Sequence, residues 1–168
     1  MTYNSCILLL LLIGGISTGL PIHFWCSSKA RESIMHLQTN NCSKSDVLPS
    51  PVLMPYVGIN LTEWENKTLQ QKHAEVLEAF QQFDVLIQNE TSLQCLKRLK
   101  NYVAIVKDAP VQKDNVTFTL HPRQTTRGET VGDVLKQYET LIKGKLNYFA
   151  QDLQLADRQN IRHKGSIQ

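Results

Sequence analysis

Five histidines, His23, His36, His73, His121 and His163, are the side chains best suited to hold a metal or carry a proton, and they are scattered without ligand spacing. No cysteine pair has the short separation of a zinc site, and no phosphate loop, nucleophile elbow or HExxH run occurs. His73 falls on an apolar stripe, where a packed or edge histidine is the simpler reading. Glu63, Glu65, Glu75 and Glu78 read as helix-surface carboxylates, explained by solvation alone. The chain is thus expected to be no enzyme, with no metal and no cofactor.

The chemistry that remains is cysteine oxidation, glycan addition and recognition. Ile7 to Ile16 form an apolar run followed by Ser17, Thr18 and Gly19, with no charged side chain before Lys29. The run is well short of the ~20 residues that span a bilayer, and Ser17 and Gly19 fit a signal-peptidase site. Residues 1–19 therefore read as a signal peptide, 20–155 as one domain, and 156–168 as a polar, disordered tail. A secreted protein without membrane insertion is expected. Removal of Cys6 leaves Cys26, Cys42 and Cys95, hence one disulfide and one thiol that is free, capped or intermolecular. Sequons at Asn60, Asn66, Asn89 and Asn115 fit a glycosylated surface. Asn41 heads a further match, but a disulfide at Cys42 would compete with glycan addition there. A net charge of +3 is too small to argue for nucleic acid.

Recognition is the chemistry suggested near the C-terminus. Lys136, Thr140, Lys143 and Asn147 recur at steps of four, three and four, beside an apolar face, with Gly144 adjoining and Lys145 at the opposite border of the core. On spacing alone an ordinary solvated stripe is favoured over a contact surface. Gly144 is what that reading leaves unexplained, because glycine costs a helix interior roughly 1 kcal/mol relative to alanine. Its usual justification is close approach by another chain segment.

The elements that must position this stripe are helices. Val131, Leu135, Tyr138, Ile142, Leu146, Phe149 and Leu153 fall within about 40° of one line at about 100° per residue, and Thr130 with Asp133 caps the start. A second helix reads from Thr62 to about Gln88, opened by a Thr62/Glu65 capping box and carrying Leu69, His73, Val76, Phe80, Phe83 and Ile87. A third begins at Thr91 to Gln94 and runs to Val106 before Pro110 stops it. A first, shorter helix covers Ser28 to Gln38, with Ile34 and Leu37 or Met35 inward. Asn89 and Glu90 alone separate the second and third helices, making them antiparallel neighbours. The other connections, Asn40 to Leu61 and Ala109 to Glu129, can each climb a helix of roughly 39 Å, since about 20 extended residues reach roughly 65 Å. The expected fold is an all-α, up-up-down-down four-helix bundle with two long crossovers. Val52 to Met54 and Val116 to Leu120 are extended stretches able to pair or pack as strands.

Pro51 to Trp64 resembles the first crossover and second-helix start of the erythropoietin/thrombopoietin family of four-helix cytokines, nearer its thrombopoietin branch. Thr130 through Lys143-Gly144-Lys145-Leu146 to Phe149 is similar, without gaps, to the last helix of both branches. The resemblance implies a haematopoietic cytokine, a monomer that brings together two chains of a class I cytokine receptor, with the megakaryocyte and platelet lineage as target or, alternatively, red-cell precursors. It implies receptor contacts at Lys136, Thr140, Lys143, Gly144, Lys145 and Asn147, a second contact near Lys29, and a Cys42 to Cys95 disulfide. Cys26 is left to take either partner instead or to bridge two molecules. The chain departs from the family in having Asn147 for a basic residue, a shorter first helix, and no cysteine after the last helix. A carrier of small apolar ligands is the rival from another class, and Trp64, Phe80, Phe83, Tyr138 and Phe149 supply bulk against the cavity it needs.

Overall fold

Two reciprocal capping boxes set the two long helices. Thr68 Oγ1 accepts from the Gln71 amide while Gln71 returns a bond to the Thr68 amide, and Thr130 with Asp133 repeats the device. The structure, a computed structural model, describes residues 24–35, 41–96, 99–111 and 125–165. In chain order these form α1 (Ser28–Glu32), β1 (Val47–Met54), α2 (Leu61–Glu65), α3 (Leu69–Asn89), a 3₁₀ turn (Thr91–Leu93), α4 (Leu99–Lys107), β2 (Thr126–Thr130), α5 (Val131–Leu141), a π turn (Ile142–Leu146) and α6 (Asn147–Gly165). The last three run on without a break as one helical rod.

α3 packs against α4 on one side and against the rod on the other. Val76, Phe80 and Phe83 are fully buried, and the Phe80 and Phe83 rings meet Tyr138 edge to face at 6.0 and 5.6 Å. The Tyr138 hydroxyl donates to the Ile34 carbonyl at 3.0 Å, fixing the end of the first helical segment to the rod. Burial, with Tyr102 adding to it, pushes that phenol well above its ordinary range. Phe24 and Trp25, which the sequence reading left out of the core, are buried, and Trp25 packs edge-on against Phe149 at 5.4 Å.

The two crossovers meet in an antiparallel ribbon, β1 with β2, pairing Val52 with Gly128 and Met54 with Thr126 across an irregularity between Val47 and Val52. Val52 to Met54 is thus a strand as expected, while residues 116–120 lie outside the described residues. The first crossover also caps the rod: Val131 N–H donates to the Asp46 carbonyl at 3.0 Å and Gly132 N–H to the Lys44 carbonyl at 2.9 Å. These bonds satisfy amides that no helical carbonyl can reach. Cys42 and Cys95 form a disulfide with Cα atoms 6.1 Å apart. By chain entropy, closing a loop of that length stabilises by roughly 4 kcal/mol. Cys26 is disulfide-bonded as well, so of the three states expected for it, a free thiol does not hold.

Several boundaries differ from expectation. The second helix does not open at Thr62: Asn60 caps the short α2, the chain turns at Asn66 and Lys67, and α3 starts behind Thr68, which has the complete box. Thr91–Leu93 is an isolated turn capped by Glu90, and the third helix begins only at Leu99. The first helix ends at Glu32, with residues 36–38 outside the described set. The rod continues to Gly165 rather than stopping at Leu155, and Asp157, assigned to a disordered tail, is buried. Residues 1–19 lie outside the described residues.

Backbone bonds from Glu129 and Thr130, with the Thr130 side chain and the charge of Lys136, hold the Asp133 carboxyl below the usual carboxylate range. Its contribution is therefore present above the unfolded pKa and is lost as pH falls through the lower folded value. Asp133→Asn is expected to lower the melting temperature at neutral pH, with the gap closing below the ordinary carboxylate range. A gap that stays constant down to strong acid would show that the charge is not what the cap uses.

Candidate functional site

The buried face of the rod cannot belong to a straight α-helix. Val131, Val134, Tyr138 and Leu141 are buried upstream, and Leu146, Phe149, Ala150, Leu153 and Asp157 downstream. At about 100° per residue, an uninterrupted helix aligned on the first set would turn Ala150 and Asp157 outward and bring Tyr148 to the core edge. The π turn at Ile142–Leu146 takes one extra residue, which sets everything after it back by about 100°. Both halves then bury one continuous face. Tyr148, at 36% exposure, and Leu155, at 54%, come out on the solvent side.

Lys136, Thr140 and Lys143 are exposed on that same outward side, with Gly144 half-buried among them. The Thr140 hydroxyl donates to the Lys136 carbonyl, and Lys143 pairs with Glu139 one turn earlier. The two glycines of the rod differ in what they serve. A Cβ on Gly132 would come within 2.8 Å of the Lys44 carbonyl oxygen, so that glycine is required by the crossover packed on it. A Cβ on Gly144 would meet nothing within 4 Å. The chain's own described packing gives no reason for its bare backbone.

Two of the expected contact residues, Lys145 and Asn147, lie off the outward line. Lys145 is only 2% exposed: its ammonium lies 3.5 Å from Glu75 Oε2 and 4.9 Å from the centre of the Tyr56 ring. Glu75, expected on a helix surface, is buried between Lys145 and Lys67, whose Nζ is 2.6 Å from Glu75 Oε1 and 2.7 Å from Glu63. Desolvation alone would lower the Lys67 ammonium, but its bonds to Glu63 and Glu75 more than reverse this and raise it. Beside this chain, Lys72 and the Trp64 indole N–H both bond Asp152 Oδ2 at 2.9 Å, fastening α2 and α3 to the rod. Asn147 is the second of these. The π turn rotates it sideways, and its Oδ1 accepts from buried Arg31 at 3.1 Å. Arg31 also donates to the Phe24 and Trp25 carbonyls, and burial holds its guanidinium below the ordinary value.

Lys29 is exposed on α1, away from these bonds. Asn60, Asn66 and Asn89 are exposed, while Asn115 lies outside the described residues. Asn60 caps α2 through Oδ1, leaving its amide nitrogen, where a glycan attaches, out of the cap. His73 is a packing residue, stacked on Phe149 and bonded at Nε2 to the Val106 carbonyl. Tyr148 and Leu155 are the residues on the outward side that sequence reasoning missed. Only the exposed oddity of a glycine inside a long helix hinted at the irregularity that turns them outward.

A bundle of long helices whose crossovers meet in a small ribbon, with a polar, basic line on its last helix, defines the class of four-helix cytokines. Residues 28–158 match the family model of erythropoietin/thrombopoietin. The chain belongs to that family of haematopoietic cytokines, whose members are secreted and bind class I cytokine receptors. No curated protein matches the chain. Among the described residues no helix is long and apolar enough to cross a membrane.

Removing one partner of a buried ion pair strands the other, whereas replacing both with packed apolar groups is close to neutral. Glu75→Ala is therefore expected to cost about 3–5 kcal/mol in denaturant unfolding. The double variant Glu75→Leu with Lys145→Met is expected to recover most of that loss. Equal losses in both would mean that the Glu75–Lys145 charges do not interact.

Proposed function

We propose that this chain is a secreted, thrombopoietin-type cytokine that, as a monomer, brings together two chains of a single-pass class I receptor and so drives megakaryocyte and platelet-lineage growth. The principal contact is the outward line Lys136, Thr140, Lys143 and Gly144, continued by Tyr148. The observation that carries this reading is Gly144: a costly glycine on an exposed basic line, with open space where its side chain would be. A bare backbone there lets a receptor loop approach closely, and the lysines favour acidic groups on it. The thrombopoietin assignment rests on the resemblance of Pro51 to Trp64. The last helix resembles both branches, which favours erythropoietin-type action on red-cell precursors as the second reading. A second receptor chain would meet another face, near Lys29.

Proliferation of cells bearing either receptor type tests both readings. Response through the thrombopoietin-type receptor alone is expected, and response only through the other would reverse the assignment. Lys143→Glu is expected to reduce potency at least tenfold in a normally folded protein. Gly144→Leu is expected to leave the melting temperature unchanged or higher, since a Cβ there meets open space and glycine is the poorer helix former, yet to weaken receptor binding. Full activity in both variants would move the contact elsewhere.

A further inference from the structure

We propose that Lys145 is a positioning residue for this surface: drawn inward by Glu75 and Tyr56, it locks the extra residue of the π turn and so decides which side chains the lower half of the rod shows a partner. The proposal rests on the outward line being a receptor contact. A lysine ammonium loses several kcal/mol of hydration on burial, so its place inside the bundle calls for a compensating gain. The gain is visible in the register. A helix carrying the same residues without a π turn would rotate everything after Leu146 by about 100°. Asn147, Ala150 and Gln154 would then face outward, and Tyr148 and Leu155 would leave the surface.

The bonds on the opposite side support the same register. Asn147 reaches Arg31, and Gln154 Nε2 donates to the Trp25 carbonyl at 2.6 Å. Both would break on that rotation. With the π turn held, the outward surface changes character along its length: cationic at Lys136 and Lys143, bare at Gly144, partly apolar at Tyr148 and Leu155. The partner segment this surface fits carries acidic groups facing the lysines and an apolar side chain seated on Gly144 against Tyr148. Lys145 touches none of it and acts through the backbone it pins.

The test compares Lys145→Met, which keeps the buried stem and removes the charge, with Lys145→Arg, which restores a cation. Affinity for the soluble extracellular domain of the thrombopoietin-type and of the erythropoietin-type receptor is measured beside amide hydrogen exchange. In the Met variant, exchange is expected to quicken at residues 142–148 while α3 stays protected, and affinity to fall about tenfold, mostly through faster dissociation. The Arg variant is expected to recover at least half of that loss. Wild-type affinity in Lys145→Met overturns the proposal. If Lys143→Glu also binds normally, the contact line itself is wrong; if it alone loses binding, only the role of Lys145 falls. Should the Met variant not fold, Glu75→Gln removes the charge that draws Lys145 inward and takes its place. A folded Glu75→Gln variant with wild-type affinity and unchanged exchange at residues 142–148 overturns the proposal equally.

Discussion

Glu75 is the carboxylate around which this bundle is arranged. It sits buried between the ammonium groups of Lys67 and Lys145, which come from the turn before α3 and from the middle of the last helix. Isolated, the charges of Glu75 and Lys145 would be excluded from the core; together, with half-buried Lys67 at the edge, they offset one another's lost hydration. The set has direction as well as energy. It fixes Tyr56 of the first crossover, the turn between α2 and α3, and the π turn of the rod at one place, which apolar packing alone would leave free to slide.

From that point the rest of the molecule can be followed outward. Pro55 is held by Gln137, whose side-chain amide donates to its carbonyl at 3.0 Å, and Trp64 is held by Asp152. The crossover therefore lies along the rod on one flank. The N-terminal segment lies on the other, where Arg31 and Gln154 donate to the Phe24 and Trp25 carbonyls and Asn147 accepts from Arg31. Between the flanks one strip of the rod is left uncovered by the described residues, and it carries Lys136, Thr140, Lys143, Gly144 and Tyr148.

Burial patterns carried the fold in the sequence. The apolar spacing of Val76, Phe80, Phe83 and Ile87 found α3, the pair Thr130 and Asp133 found the start of the rod, and the lengths of the connections implied crossovers. Boundaries were less legible where two local signals competed: Thr62/Glu65 against Thr68/Gln71, and Thr91/Gln94 against the tether at Cys95. At the first of these, Asn60 caps the short α2 and the complete reciprocal box at Thr68 and Gln71 opens α3.

The candidate site shows the same division at finer scale. By itself the sequence determined that the last helix is amphipathic, that a basic line runs beside its apolar face, and that Gly144 interrupts it. These follow from residue type and a fixed rotation per residue. Only the tertiary structure decided that the rotation is not constant. One extra residue in the π turn turns Asn147 toward Arg31 and brings Tyr148 and Leu155 to the surface, while Lys145 reaches Glu75 in the core. The reason is physical: a helix embedded in a bundle adopts the register that buries the most apolar surface and satisfies the most charges at once, and that balance is struck with Glu75, Tyr56 and Arg31, none of which lies near it in sequence.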